Sequence, residues 1–501
     1  MSYSPSFNSG FANTQNRSKF ILPASGMCSM CTEDCGSVCE LGLAAVLGAQ
    51  TVYPTTTGAN QIASEKDYPI DYSHFNINGH VFGAMGAYPT YESAEIFNVD
   101  LGVEYGTLNK VKMALPVTLP AVIKLNWRDY FGAAAMAGVT CMVGEDAKGK
   151  DPDLKMENGK ITDFPFMGEI IESFKKYYRG YGQIVPQCNV EDDMLGVPEI
   201  ALTKYGAEAI EFKFGQSAKG TQPVNRVSNL KNALEKQKKG YLVHPDPSDP
   251  AVQKAYEEGV CPNFYTYGRL PQWDEEFFAK RIAELRKLGL KNVYFKMAGY
   301  DKADIERVLR IASANKVDMV TFDGAGGGSG YSPCKMMNEW CQPTVMLESC
   351  IVAVADKLTA EGLELPAITI TGGFASEDGV FKALAMGNGY IKAVGMCRAT
   401  MAAAMTGKNI GDKIKEGNTP SQFKKYGTTV EEIFADLPDL KALYGVKAAE
   451  FSTGAIGAFS FLNKIGFGVR HFGALNRKFN IKYFDQTDLI PLTEAAAKLL
   501  K

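Results

Sequence analysis

The chain has 501 residues, of which 46% are hydrophobic and 22% charged, a composition that excludes a disordered or collagen-like polymer and supplies ample core material. The 53 Lys and Arg nearly balance the 56 Asp and Glu, leaving a formal charge of −3, which speaks against nucleic acid as a partner. No apolar run approaches the ~18 residues of a membrane helix, and the first twenty residues lack the basic-then-apolar pattern of a secretory signal, so a soluble cytoplasmic protein with no membrane partner is expected.

In chain order, residues 1–27 are rich in Ser, Asn and Gly and read as a loosely held arm. Cys28, Cys31, Cys35 and Cys39 follow, then an apolar stretch, Leu41–Ala49, and an aperiodic segment to about residue 80. From there short apolar runs alternate with helical patterns. The strand candidates are Val81–Gly86, Val139–Glu145, Ala209–Phe214, Asn292–Met297, Asp318–Asp323, Ile368–Gly373 and Ile391–Met396. The helix candidates include Glu275–Leu288, Lys302–Ala314, Thr344–Leu358 and Asp378–Met386. Buried apolar strands alternating with amphipathic helices imply parallel βαβ units. The expected fold is an α/β (β/α)8 TIM barrel; a doubly wound sheet shares the same periodicity. The expected domains are an arm and cysteine segment (1–79), a barrel (80–420) and a helical C-terminal extension (421–501) broken by Pro438 and Pro491.

Three patterns carry chemistry. The first runs from Ile368 to Arg398: a strand ending in Gly372-Gly373, a helix, then a strand ending near Gly395. Glycines at successive strand ends let backbone amides approach a phosphate closely, as after strands seven and eight of many barrels; the bland alternative is two glycine turns. The second is Asp323-Gly-Ala-Gly-Gly-Gly-Ser-Gly330, which lacks the spacing of a dinucleotide fingerprint. Directly after a strand it favours a ligand-facing loop over a plain surface loop. The third is a set of polar strand ends: Glu145, Gln216, Lys219 and Lys296. A charged group at the end of a buried strand is costly without a partner, so each is either a structural ion pair or a group in a barrel mouth.

These residues resemble the FMN-binding synthase domain of glutamate synthase from about residue 80 to 400, and the whole chain resembles the stand-alone FMN-binding glutamate synthase family proteins. The motifs are Phe82-Gly-Ala84-Met85-Gly86, Val143-Gly-Glu145-Asp, Phe212-Lys-Phe-Gly-Gln216-Ser-Ala-Lys219-Gly, Asp323-Gly-Ala-Gly326-Gly327-Gly-Ser-Gly330 and Gly372-Gly373. The resemblance implies FMN at a barrel mouth, contacted by Ala84, Met85, Gly86, Gln216, Lys296, Asp323, Gly326, Gly327 and Arg398, with Gly372, Gly373 and Gly395 at its phosphate. It assigns Glu145, Lys219 and Lys296 to catalysis: Lys296 beside the flavin ring, Glu145 and Lys219 facing a small 2-oxo acid or amino acid substrate. The implied reaction is reductive amination of 2-oxoglutarate or a related 2-oxo acid with ammonia. The alternatives are amino acid or imine oxidoreduction on another substrate, or a phosphate-ligand-binding subunit without catalysis.

Three departures qualify the resemblance. There is no amino-terminal Cys nucleophile of a glutaminase, so ammonia would be free or come from a glutaminase partner. The family's cysteine-rich cluster loop after the last strand is reduced to Cys397 alone, and the Lys219 segment lacks the family's following glycine pair. The four N-terminal cysteines then gain weight. Thiolates at this spacing suit an iron–sulfur cluster, with zinc and unligated thiols as alternatives. A [4Fe–4S] centre on Cys28, Cys31, Cys35 and Cys39 would give electrons from ferredoxin or a reductase subunit a route to the flavin. The four histidines, His74, His80, His244 and His471, leave none between 245 and 470, which disfavours the histidine-base chemistry of α-hydroxy acid oxidases. A homo-oligomer is expected.

Overall fold

A computed structural model describes residues 68–123, 126–145, 147–214, 225–261, 263–325, 327 and 340–500. Its centre is a closed barrel of eight parallel strands. In chain order these are β1 Val117–Val122, β2 Thr140–Val143, β3 Ile184–Cys188, β4 Ala209–Lys213, β5 Asn292–Ala298, β6 Met319–Asp323, β7 Ala367–Thr371 and β8 Ile391–Gly395. Each strand pairs with the next and β8 closes onto β1, which is the topology of a TIM barrel.

The outer helices are α1 Trp127–Ala137, α2 Pro165–Lys175, α3 Val197–Thr203, α4 Glu275–Lys287, α5 Lys302–Ala314, α6 Thr344–Ala360 and α7 Glu377–Met386, followed by α8 Arg398–Lys415 and α9 Thr453–Leu475. Their starts follow local chemistry. The Asp301 carboxylate accepts from Asp304 N to cap α5, and Asp274 accepts from Phe277 N to cap α4. Ile305, Val308, Leu309 and Ala312 then form the buried stripe of α5. Outward strand residues such as Leu119, Phe295, Val320 and Ile370 meet these stripes in one continuous core.

The place of an eighth barrel helix is filled from far along the chain. α9 lies between α1 and α7: Ala458 packs with Ala133 and Ala404, and Phe472 stacks obliquely on Phe381 at 5.6 Å. α8 runs beside α9 through glycine contacts; a Cβ on Gly407 would sit 2.5 Å from Thr453 O. The bottom of the barrel is plugged by the hairpin Val103–Tyr105/Val111–Met113. There the Tyr105 hydroxyl bonds Thr140 Oγ1 and the Tyr294 hydroxyl, and Asp318 accepts from Thr107 N. Between β4 and α4 a three-stranded sheet, with strands Asn225–Val227, Leu242–His244 and Phe264–Tyr267, carries its own small core.

One strand expected from the sequence is absent from the barrel. Val81–Gly86 forms turns rather than a strand: Gly83 and Gly86 adopt φ of +96° and +88°, and Val81 and Phe82 are 76% and 90% exposed. The first barrel strand is instead β1, which sequence reasoning missed together with β3. Both carry an internal proline, Pro120 and Pro186, which reads as a strand breaker. β1 tolerates Pro120 because its register with β2 shifts between Leu119 and Val122.

Candidate active site at the barrel mouth

Side chains alternate across a strand, so the residues between the outward apolar ones face the barrel interior. From β3 to β7 that inner face is polar at its C-terminal half: Gln187, Glu211, Lys213, Lys296, Thr321, Asp323, Thr369 and Thr371 are all buried. Burial of so many charges is tolerable only through mutual pairing. Lys213 forms an ion pair with Glu145, which stands just past β2. The Gln187 amide donates to Glu211 Oε1. Lys296 Nζ lies 3.9 Å from Asp323 Oδ2, and Thr371 Oγ1 donates to Asp323 Oδ1 at 3.0 Å. The result is a row of alternating charge across the mouth, from Asp323 through Lys296, Glu211 and Lys213 to Glu145.

Electrostatics follow from burial. Desolvation pushes the Glu211 carboxyl up, opposed by Lys296, the Gln187 hydrogen bond and Lys213. Just past β3, burial raises the Asp192 carboxyl to about 6 although Lys148, itself buried, is bonded to it. Lys148 also lies 5.2 Å from the centre of the Tyr241 ring, tying the inserted three-stranded sheet to the rim. Arg269 of the same insert bonds buried Glu191 through its backbone and guanidinium nitrogens.

The glycine loops complete the mouth. Gly372 has φ +128° and a Cβ there would lie 2.5 Å from Thr344 Oγ1, which donates to Gly372 O. Gly395 sits where a Cβ would meet Pro120 and Thr371 at 2.8 and 2.9 Å. Gly373 differs: its φ is +92°, it is exposed, and none of the described residues lies within 4 Å of the Cβ position, so its backbone is open to approach from that side. Two of these glycines are therefore set by packing, while the third offers the close backbone approach that a phosphate needs. The loop is backed by Tyr72, whose ring lies 5.2 Å from that of Phe374 and whose hydroxyl donates to buried Glu348 in the second turn of α6.

Of the residues singled out in the sequence, Lys296, Asp323, Gly327, Gly372, Gly373, Gly395 and Arg398 come together here. A Cβ on Gly327 would strike Asp323 Oδ1, and Arg398 lies within electrostatic range of Asp323 and Cys397. Glu145 joins them through Lys213. Ala84, Met85 and Gly86 do not join. Met85 donates to Arg477 O and accepts from Phe479 N, and Gly86 abuts Tyr483 just beyond α9. The residues that stand at the end of the first barrel strand are Ala121 and Val122 instead. Gln216, Lys219, Gly326 and the cysteines 28, 31, 35 and 39 lie outside the described residues. Among the described residues no group of three or more His, Cys, Asp or Glu is arranged to hold a metal ion, and no helix is long and apolar enough to cross a membrane. Sequence reasoning missed Gln187, Glu211, Lys213 and Thr371; the signal was the alternation in Ala209-Ile-Glu-Phe-Lys213, where Ile210 and Phe212 face outward.

Residues 272–406 match the family model described as the conserved region in glutamate synthase. That span runs from just before α4 into α8 and contains Lys296, Asp323, both glycine loops and Arg398. A search of curated protein sequences finds no match. Among solved structures, a flavocytochrome b2 mutant with sulfite bound is similar at TM-score 0.45 and 12% identity, over 85% of this chain and 78% of the other. An (S)-mandelate dehydrogenase described as a monotopic membrane protein is similar at TM-score 0.45 and 13% identity, over 88% and 96%. A mandelate oxidase variant is similar at TM-score 0.43 and 14% identity, over 84% and 89%.

Proposed function

We propose, on the premise that residues 272–406 are a glutamate synthase region, that this chain is an FMN-dependent oxidoreductase of glutamate synthase type. The observation that carries the reading is the juxtaposition within that region of an open glycine cradle at Gly373 with the buried Lys296–Asp323 pair. The residues present fit the cofactor. Gly373 leaves its backbone free to meet a phosphate, and Lys296 holds a positive charge in a site of low dielectric. Bound FMN would supply two-electron chemistry that no side chain of the protein offers.

The chain's own residues then have separate tasks. The Gly372–Gly373 turn, fixed by Thr344, binds and orients the phosphate end. Lys296, held by Asp323, stabilises negative charge on a reduced ring. Glu145, neutralised by Lys213, stands on the far side of the mouth, where a small 2-oxo acid and its amine would be positioned; the resemblance gives Lys219 the substrate carboxylate. The specific reaction we propose is reductive amination of 2-oxoglutarate or a similar acid with ammonia. Electrons would come from ferredoxin or a reductase subunit through a [4Fe–4S] centre on Cys28, Cys31, Cys35 and Cys39, and ammonia from solution or a glutaminase partner.

The test is an anaerobic screen. Chemically reduced protein is mixed with 2-oxo acids, with and without ammonia, and flavin reoxidation is followed by absorbance. Reoxidation that requires both a 2-oxo acid and ammonia is expected. Reoxidation by none of them, in a protein with full flavin, would remove the amination reading.

A further inference from the structure

The inside of the barrel carries more oxygen than the protein's own hydrogen bonds use. Thr118, Gln187, Glu211 and Thr321 all face inward and are 1–2% exposed. Thr118 Oγ1, Gln187 Oε1, Glu211 Oε2 and Thr321 Oγ1 each have no hydrogen-bond partner among the described residues. They come from four strands, β1, β3, β4 and β6, and share the same enclosed interior. On the floor side the Tyr105 hydroxyl bonds both Thr140 Oγ1 and the Tyr294 hydroxyl. On the mouth side stand the ion pairs of Lys296, which is level with Thr321, with Asp323 and of Lys213 with Glu145. Buried polar atoms are paired in the great majority of cases, and an unpaired one is expensive. Four in one interior point to a guest.

The chemistry of the four atoms selects that guest. The Gln187 amide oxygen and the ionised Glu211 carboxylate can only accept, while the two threonine hydroxyls can donate or accept, so the guest must offer donors and can also accept. The one carboxylate among them already faces two ammonium groups, Lys296 and Lys213; a cation would add a third positive charge beside them. A small neutral donor remains, and water meets the requirement, since a buried water makes about three hydrogen bonds to such groups.

We propose that a pool of ordered water sits inside the barrel, bonded to Thr118, Gln187, Glu211 and Thr321, and that Glu211 is a positioning residue which, solvated by this pool, holds the Lys296 and Lys213 ammonium groups in place beneath the mouth. In the paired strands Glu211 is level with Tyr294, and Lys213 is level with Lys296. The carboxylate therefore lies one inward step beneath the ammonium groups. The charged groups facing it are Lys296 on β5, Lys213 on its own strand and Glu145 beyond β2, with Asp323 of β6 behind Lys296; β3 contributes only the neutral Gln187. An ionised Glu211, solvated by the pool, gives the Lys296 ammonium a second carboxylate beside Asp323. A protonated Glu211 leaves Lys296 with Asp323 alone. The inference rests on the flavin reading only for the use made of Lys296; the pool and the coupling do not require bound cofactor.

The experiment pairs a crystal structure at a resolution that places water with an infrared titration of the Glu211 carboxyl band, identified by its loss in Glu211→Gln. Water bonded to the four oxygens is expected. Lys296→Met is expected to raise the Glu211 midpoint by about one pH unit or more, Thr321→Val to raise it by less, and Lys296→Arg, which keeps the charge, to leave it near the wild-type position. A dry interior, or a midpoint unmoved in either Lys296→Met or Thr321→Val, overturns the proposal. Because neither readout needs flavin, a protein that binds no FMN would refute the proposed function while leaving this inference to stand or fall alone.

Discussion

At the scale of single residues, the mouth is a problem in charge. Lys296 is buried beside Asp323, and its positive charge should favour the anionic reduced form of a bound flavin. Lys296→Met is therefore expected to lower the flavin midpoint potential by at least about 30 mV, the equivalent of ~1.4 kcal/mol in a two-electron couple, as read by dye-coupled redox titration. An unchanged potential would place the ammonium away from the ring. Gly373→Asp should abolish flavin retention, because its +92° φ strains any side chain and a carboxylate would face the phosphate; full occupancy in that variant would remove the glycine cradle from the account. Asp192 supplies a pH dependence. Its carboxyl is raised from 3.8 to about 6 by burial, so the fold favours the protonated form. The stability this gives is complete below pH 4 and lost as pH rises to about 6, an amount on the order of 2–3 kcal/mol. The difference in urea midpoint between wild type and Asp192→Asn should thus shift against the wild type from pH 4 to pH 6.5. A flat difference would mean that Lys148 compensates the carboxylate fully.

At the scale of elements, the helices were the most legible part of the sequence. The span Lys302–Ala314 read from periodicity coincides with α5, because an aspartate cap and a 3.6-residue apolar stripe mark both its start and its face. The strands were legible where a proline-free apolar run survives on the outer face, as in Ala209–Lys213 and Asn292–Ala298. Pro120 and Pro186 hid β1 and β3, and the aromatic and glycine content of Val81–Gly86 imitated a strand that its exposed Val81 and Phe82 do not form. The same limit concealed Glu211 and Lys213: in a strand buried on both sides, the inner alternate residues look like interruptions until the barrel closes around them. The pairing of α8 with α9 was not legible at all, since it depends on Gly407 and Gly457, 50 positions apart in the chain, meeting face to face. At that contact Gly407→Val would drive methyl groups into Thr453 O and Gly457 Cα, 2.5 and 3.0 Å from the Cβ position. Overpacking of this kind costs ~1–3 kcal/mol, so a lower thermal midpoint is expected, with flavin binding retained at low temperature. An unchanged midpoint would show that the two helices can separate freely.

At the scale of the whole molecule, the barrel depends on the end of its chain. α9 covers the gap between α7 and α1, and its residues Ile456, Leu462, Ile465 and Val469 belong to the main core. Removing residues 421–501 should therefore yield insoluble protein rather than a free-standing barrel. The cluster proposed for the cysteines near the other end of the chain would bear on electron supply. Iron near four atoms per chain is expected on anaerobic purification, and Cys31→Ser with Cys35→Ser should remove it and block reduction by ferredoxin while dithionite still reduces the flavin; one zinc and no iron would close that route. The proposed chemistry nonetheless turns on one occupant of the mouth. Acid release and chromatography of the flavin from the full-length protein, after incubation with excess FMN and desalting, tests it most directly. The account predicts about one FMN per chain in the wild type and almost none in Gly373→Asp; a folded wild-type protein that retains no FMN would contradict it.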